Sequence, residues 1–130
     1  MKINILIIDD EGLVTRSLQR FLAKEDYNAV VASSGKEAIE KFKAAQFDLI
    51  VSDVRMPGMD GIETIEKLRQ LQQEAGKKPV PEILITGYTD EDSYARALRL
   101  KVADYLFKPF DTKEFLDAVK RNLDEQPQQE

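Results

Sequence analysis

The sequence predicts an α/β fold of the (βα)5 type, a doubly wound, five-stranded parallel sheet with helices on both faces. Three observations carry that reading: five short, apolar, β-branched runs recur along the chain, segments of helical period lie between and after them, and several runs are apolar on nearly every residue. Strands apolar on both sides must be covered on both sides, which the right-handed crossovers of a parallel sheet provide.

The first strand is the run 3–8, INILII, and the helix after it shows Val14, Leu18, Phe21 and Leu22 on one face. The second strand, 28–32, NAVVA, leads to a helix that is opened by Ser34 and Glu37 at capping-box spacing and carries Ala38, Ile39, Phe42 and Ala45. The third, 48–52, DLIVS, precedes a helix opened by Asp60 and Glu63, with residues 72–81, QQEAGKKPVP, reading as the loop beyond it. After the fourth strand, 82–86, EILIT, comes 90–101, DEDSYARALRLK, whose apolar stripe of Tyr94, Ala97 and Leu98 is thin. That helix is expected to be the most mobile element. The fifth strand, 103–107, ADYLF, leads to a helix opened by Asp111 and Glu114 and lined by Phe115, Leu116, Val119 and Leu123. Residues 1–123 are expected to form one domain, and 124–130, DEQPQQE, a linker or disordered tail, because that stretch has nothing to bury.

A chain of 130 residues can bury roughly two-thirds of the surface its unfolded form exposes. Lys and Arg number 19 against 24 Asp and Glu, and the net charge of -5 argues against direct nucleic-acid binding by this domain. The chain has no cysteine, which removes thiol catalysis, disulfides and thiolate metal sites. It has no histidine either, which removes imidazole bases, a Ser-His-Asp triad and His-ligated zinc. Carboxylate, hydroxyl and ammonium chemistry remains. The opening MKINILIIDDEG has an apolar run too short for a signal peptide or a membrane span. A cytoplasmic protein without membrane contact is expected.

Ligands of a parallel sheet bind outside the carboxyl ends of its strands. Asp9 and Asp10 end the first strand, Asp53 the third, Thr86 the fourth, and Lys108 follows the fifth. Singly, these residues fit helix caps, turn residues, an ordinary strand threonine and a solvated lysine. Together they place three carboxylates on one rim, which repel by a few kcal/mol per pair at about 4 Å and an effective dielectric near 20. A hard divalent cation resolves that repulsion. Few fixed carboxylates with open positions suit Mg²⁺, which keeps waters and substrate phosphate. Thr86 can donate its hydroxyl to a phosphate oxygen, and Lys108 supplies a compact positive charge. The only good nucleophile in reach is a carboxylate, so Asp53 is placed to be phosphorylated. Pro57, Gly58 and Gly61 are expected to turn the following loop away and leave the crevice open.

The segments ILIIDDE, VSDVRMPGMDG, ILITGY and DYLFKPF, in that order and at these separations, resemble the receiver domain of bacterial two-component response regulators from residue 3 to about 123. The resemblance, not the hydrophobic pattern, implies the flavodoxin-like strand order 2-1-3-4-5. In that order strands one and three lie about 4.8 Å apart, and strand five about 10 Å from strand three, a gap a lysine can mostly span. It also implies that Asp10 and Asp53 ligate Mg²⁺ directly with the backbone carbonyl of Arg55, while Asp9 acts through a water. Asp53 would accept the phosphoryl group from the phosphohistidine of a sensor histidine kinase or histidine phosphotransfer protein, with Thr86, Gly87 and Lys108 binding the phosphate. Thr86 would then move toward the phosphate and Tyr105 turn inward. The readout would be the face made by the fourth helix, fifth strand and fifth helix, offered to a second copy or to an output domain or partner that the sequence does not identify. A cis Lys108-Pro109 bond is implied as well. Such a protein is a switch that catalyses only its own phosphorylation and dephosphorylation.

Two departures from the family pattern stand out. Val102 occupies a place where many receivers carry glycine, and a β-branched residue resists left-handed geometry, so the end of the fourth helix is expected to differ. Arg55 and Tyr88, two residues beyond Asp53 and Thr86, are bulky at positions that tune water access in this family, which predicts a long-lived phosphoryl group. Other residues keep two readings. Tyr105 suits simple burial as well as a switch, and Arg96, Arg99 and Lys101 suit a solvated face as well as a partner surface. Leu13, Val14, Pro109 and Phe110 suit either a kinase-docking patch or the core. Among competing functions, a haloacid-dehalogenase-type phosphatase would want an acid where Arg55 stands. A nucleotide-binding module would want more than the single glycine of Asp10-Glu11-Gly12. A phosphorylation-independent pseudo-receiver, used only for interaction, is the remaining alternative.

Overall fold

The structure, a computed structural model, describes residues 2–87 and 91–124, without the side chains of Ser93 and Asp124. Strand and helix alternate throughout: β1 (Asn4–Ile8), α1 (Gly12–Lys24), β2 (Asn28–Ala32), α2 (Gly35–Ala44), β3 (Leu49–Asp53), α3 (Gly61–Glu74), β4 (Glu82–Gly87), α4 (Glu91–Leu100), β5 (Asp104–Lys108) and α5 (Thr112–Asp124). All strand pairings are parallel and the order is β2-β1-β3-β4-β5. The fold class and the strand order are therefore as expected.

Side-chain alternation along the three inner strands splits the core into two layers. Ile5 and Ile7 of β1, Leu49 and Val51 of β3, and Ile83 and Ile85 of β4 face α1 and α5, where Leu18, Leu22, Phe115 and Val119 meet them. Their neighbours Leu6, Ile8, Ile50 and Leu84 face the other way, against Ala38 of α2, Ile65 and Leu68 of α3, and Ala97 of α4. Each fully buried Leu or Ile contributes roughly 1.5–3 kcal/mol. This two-sided burial is why the runs are apolar at successive positions.

Two of the three capping boxes close reciprocally, Asp60 with Glu63 and Asp111 with Glu114. At α2 the Ser34 hydroxyl oxygen accepts from the Glu37 N–H at 3.1 Å, but the Glu37 carboxylate accepts from the backbone N–H and hydroxyl of Ser33 instead of from Ser34. Ser33 offers two donors where the Ser34 backbone offers one.

Several boundaries differ from expectation. α3 runs through Glu74 into the stretch read as a loop, because Gln72 is buried and useful there: its amide donates to Leu68 O at 3.0 Å and accepts from Val80 N–H at 2.8 Å. Gly76, with φ 69°, then turns the chain. At the end of α4 the left-handed residue is Lys101, φ 58°, and Val102 keeps ordinary geometry and buries its side chain. That agrees with the expected resistance of a β-branched residue to left-handed geometry. β3, β4 and β5 each end one residue beyond their apolar runs, so Asp53, Gly87 and Lys108 are the last residues of their strands and Thr86 is the last but one of β4.

α4 is thinly packed, with Ala97 its one buried side chain among those described. α5 continues through Asp124, and the tail expected over 124–130 otherwise lies outside the described residues. Among the described residues no helix is long and apolar enough to cross a membrane.

Candidate functional site

The carboxyl ends of β1, β3, β4 and β5 meet in one crevice because the register is nearly level: Ile8 pairs with Ser52, Asp53 with Ile85, and Gly87 with Lys108. Asp53 closes the central strand, every residue of which is buried, and its own side chain is 5% exposed. One carboxylate oxygen, Oδ2, accepts from Lys108 Nζ at 3.1 Å, and Oδ1 accepts from the Arg55 backbone N–H at 3.4 Å. Lys108 also lies 3.6 Å from Glu11 Oε1. Burial alone would lower the Lys108 ammonium, but the hydrogen bond and charge of Asp53, with Asp9 and Glu11 behind them, outweigh it and hold the pKa above the usual lysine value.

Asp9 sits directly beyond β1 and is buried. Its Oδ1 accepts from the Glu11 N–H at 3.0 Å, while Oδ2 is buried with no partner among the described residues. Desolvation, followed by the nearby Asp53 charge, pushes its pKa up to about 6 against the lowering pull of the Glu11 hydrogen bond and the Lys108 charge. Asp10, beside it, is exposed. One oxygen from each of Asp9, Asp10 and Asp53 falls within 4.8 Å of the others. These three hard carboxylate donors, one with an unpartnered buried oxygen, fit a divalent cation of the Mg²⁺ type.

Thr86 is buried and its Oγ1 has no hydrogen-bond partner among the described residues. A buried hydroxyl without a partner costs on the order of 1–3 kcal/mol, and the crevice it borders is where a ligand oxygen would relieve that cost. Gly87 ends β4 beside it, Arg55 is exposed at the rim, and Tyr88 lies outside the described residues. Tyr105 is half-buried and turned against α4, donating its hydroxyl to Ala97 O at 2.9 Å and meeting the Tyr94 ring edge-on at 5.9 Å. Its ring also packs against the core layer on the α2, α3 and α4 side of the sheet. The Lys108-Pro109 bond is cis. Of the residues flanking the crevice, Leu13 is 76% exposed and Pro109 exposed, while Phe110 stacks on the core residue Phe115 at 6.2 Å and Val14 packs against the same layer.

The loop after Asp53 uses its glycines differently from expectation. Gly58, with φ 74°, makes the turn. Gly61 instead allows close approach: a Cβ there would stand 1.9 Å from the Asp53 carbonyl oxygen, and its N–H donates to Val54 O at 2.8 Å. The first turn of α3 therefore braces the strand end that presents Asp53.

Two site neighbours escaped the sequence reading. Glu11 is a third acid after the Asp9-Asp10 pair, a signal present in the quoted ILIIDDE. Arg96, which suited a solvated face or a partner surface, pairs with Asp60 at 2.9 Å, and only the helix packing reveals it. At the opposite edge of the sheet a groove of about 680 Å³ is lined by Arg69, Lys77, Val80, Glu82 and Lys101 among others. Its acid is already satisfied: the Glu82 carboxylate accepts from Arg69 Nη2 at 2.6 Å and Nε at 2.9 Å.

Compared with known proteins, residues 5–120 match the response regulator receiver domain family. The transcriptional regulatory protein ResD of Bacillus subtilis (strain 168) is 37% identical over 119 residues, covering 92% of this chain and 47% of that protein. The alkaline phosphatase synthesis transcriptional regulatory protein PhoP of the same organism is 37% identical over 123 residues, 95% of this chain and 49% of its own. The chain thus spans about half the length of these relatives. Among solved structures, a CheY-like receiver domain protein from Methanospirillum hungatei JF-1 superposes with a TM-score of 0.85 at 28% identity, covering 97% of each chain. The chemotaxis protein CheY4 of Vibrio cholerae gives 0.83 at 28% identity over 95% of this chain and 100% of that one.

Proposed function

The chain belongs to the response regulator receiver domain family of two-component signalling, and on that premise we propose that Asp53 is its phosphoacceptor. The observation that carries the reading is the setting of that one carboxylate. It is buried at the end of the central strand, 3.1 Å from an ammonium and within 4.8 Å of two further acids. A histidine kinase, or a phosphotransfer protein bearing phosphohistidine, is the donor the family implies.

An Asp53 carboxylate oxygen attacks phosphorus in line. The new O–P bond forms as the P–N bond to the donor imidazole breaks, and the ring nitrogen keeps the electron pair and takes a proton from solvent. Little acid-base help is needed, so positioning and charge neutralisation do the work. Lys108 follows its negative partner from the carboxylate to a phosphoryl oxygen. Thr86 turns its unpartnered hydroxyl toward the same group, with the Gly87 backbone beside it. Asp9, Asp10, Asp53 and the Arg55 carbonyl would hold Mg²⁺, which when bound supplies the positive charge that offsets crowded carboxylates and phosphate. Movement of Thr86 vacates the space behind it, and Tyr105 exchanges its Ala97 bond for an inward position. The face of α4, β5 and α5 then shifts in population toward a form that a second copy, output domain or partner binds. Arg55 and Tyr88 restrict water, so an Arg55→Asn, Tyr88→Ala variant loses its phosphoryl group faster than wild type.

Incubation with acetyl phosphate and Mg²⁺ tests the reading. A phosphoryl mass gain on wild type but not on Asp53→Ala supports it. No gain on wild type replaces it with the pseudo-receiver alternative.

A further inference from the structure

α4 is attached to the molecule by few apolar contacts and by side chains that reach its backbone or its surface from three other elements. Tyr105 of β5 donates to Ala97 O at 2.9 Å. From α3, Arg69 Nη1 donates to Leu100 O at 2.8 Å and Nη2 to Lys101 O at 3.4 Å, satisfying carbonyls at the helix end. The third tether points to the crevice: Arg96 Nη1 lies 2.9 Å from Asp60 Oδ2. Asp60 is the last residue of the segment that begins at Val54, directly after the phosphoacceptor, and its other oxygen caps α3 by accepting from the Glu63 N–H at 2.9 Å. One carboxylate thus joins three things: the loop carrying the Arg55 carbonyl, the start of the brace behind Asp53, and the helix of the output face.

We infer that the Arg96–Asp60 ion pair is a positioning latch, which holds α4 against the phosphoacceptor loop in the unmodified protein and is released when the site is filled. The inference rests on Asp53 being the acceptor. Tyr105 leaving Ala97 removes one tether of α4, and a ligand drawing on the Arg55 carbonyl pulls on the loop that ends at Asp60. Both changes load the same ion pair. The neighbouring charges fit a polar, separable seam: Glu63 and Glu66 of α3 face Arg96 and Arg99 of α4 across a cleft with only Ile62 and Leu100 as apolar lining. Side chains 40% and 21% exposed keep the pair weak enough to open, because exposed pairs are worth little individually. An ion pair that must open on activation opposes activation by its own free energy.

The test uses two variants that spare other roles. Asp60→Asn keeps a good helix cap while removing the charge, and Arg96→Gln keeps helix propensity. Beryllofluoride with Mg²⁺ is titrated onto wild type, each variant and the double variant, with amide hydrogen exchange of α4 and α5 followed in parallel. Each single change should tighten beryllofluoride binding about two- to fivefold and speed exchange in α4, not α5, by a similar factor in the unliganded protein. The double variant should do no more than either single one, and added salt should shrink the wild-type difference. Unchanged affinity and unchanged α4 exchange, or additive effects in the double variant, would overturn the latch. If wild type takes up no beryllofluoride, the acceptor reading fails on its own, and α4 exchange in the unliganded proteins still decides whether the pair holds the helix.

Discussion

Replacing Asp9 by asparagine should stabilise the metal-free protein at neutral pH, and the size of the gain follows from the site. The carboxyl of Asp9 has its pKa raised from 3.8 to about 6 by burial and by Asp53. A folded-state value above the unfolded one means that the native protein binds more protons than the unfolded chain between pH 3.8 and about 6. Wild-type stability therefore falls as pH rises through that window and is low throughout the range above it. At about 1.36 kcal/mol per pH unit the full penalty is about 3 kcal/mol. Asparagine carries no charge and its Oδ1 can still accept from the Glu11 N–H, but its amide introduces a buried donor where Oδ2 had no partner, costing roughly 1 kcal/mol. The net gain at pH 7.5 is then about 1–2 kcal/mol, or roughly 4–8 °C in Tm for a chain of this size. Urea and thermal unfolding in EDTA at pH 7.5 and pH 3.5 measure it. The advantage should all but vanish at the lower pH, where Asp9 is mostly protonated in both states, and should shrink or reverse with saturating Mg²⁺, which stabilises only a protein that binds it. An Asp9→Asn protein no more stable than wild type at pH 7.5, or equally favoured at both pH values, would refute the account of a carboxylate held charged against burial and, secondarily, against Asp53.

Other consequences are as direct. Gly61→Ala must push a methyl group against the Asp53 carbonyl, so it should cost about 1–3 kcal/mol in denaturant unfolding and weaken Mg²⁺ binding; Gly12→Ala, which meets only the end of the Arg16 side chain at 3.4 Å, should be neutral or slightly stabilising. Arg69→Met strands the buried Glu82 and two carbonyls at the end of α4, a loss of about 3–5 kcal/mol by chemical denaturation, and adding Glu82→Leu should recover much of it. Lys101→Gly relieves a left-handed residue whose side chain is exposed, so Tm in thermal unfolding should rise by a degree or more; an unchanged or lower Tm would show that the turn stores no strain.

The placement of α4 shows how local and non-local information divide. Its weak stripe of Tyr94, Ala97 and Leu98 is visible along the chain, and the structure duly buries one of these, Ala97, and leaves Leu98 46% exposed. Nothing along the chain announces that Arg96 will find Asp60, that Arg69 will cap the helix end, or that Lys101 in place of Val102 will take the left-handed turn. The same holds at the other extreme of the fold for Glu37, which sits at capping-box spacing from Ser34 yet spends its carboxylate on Ser33. Spacing identifies the groups within reach, and the competition among donors is settled in three dimensions.

By itself the sequence determined which residues stand at strand ends and helix starts, because side-chain periods of 2 and 3.6 and the demands of unpaired backbone amides act within a few positions of the chain. That was enough to put Asp9, Asp10, Asp53, Thr86 and Lys108 on one rim and to exclude thiol and imidazole chemistry. Only the tertiary structure decided which of them touch. Lys108 reaches Asp53 across 55 positions of sequence, Glu11 joins the same ammonium, and Asp9 keeps one oxygen without a partner. The physical reason is that distances between strand ends depend on strand order and register, which the packing of two buried layers sets through contacts remote in the chain.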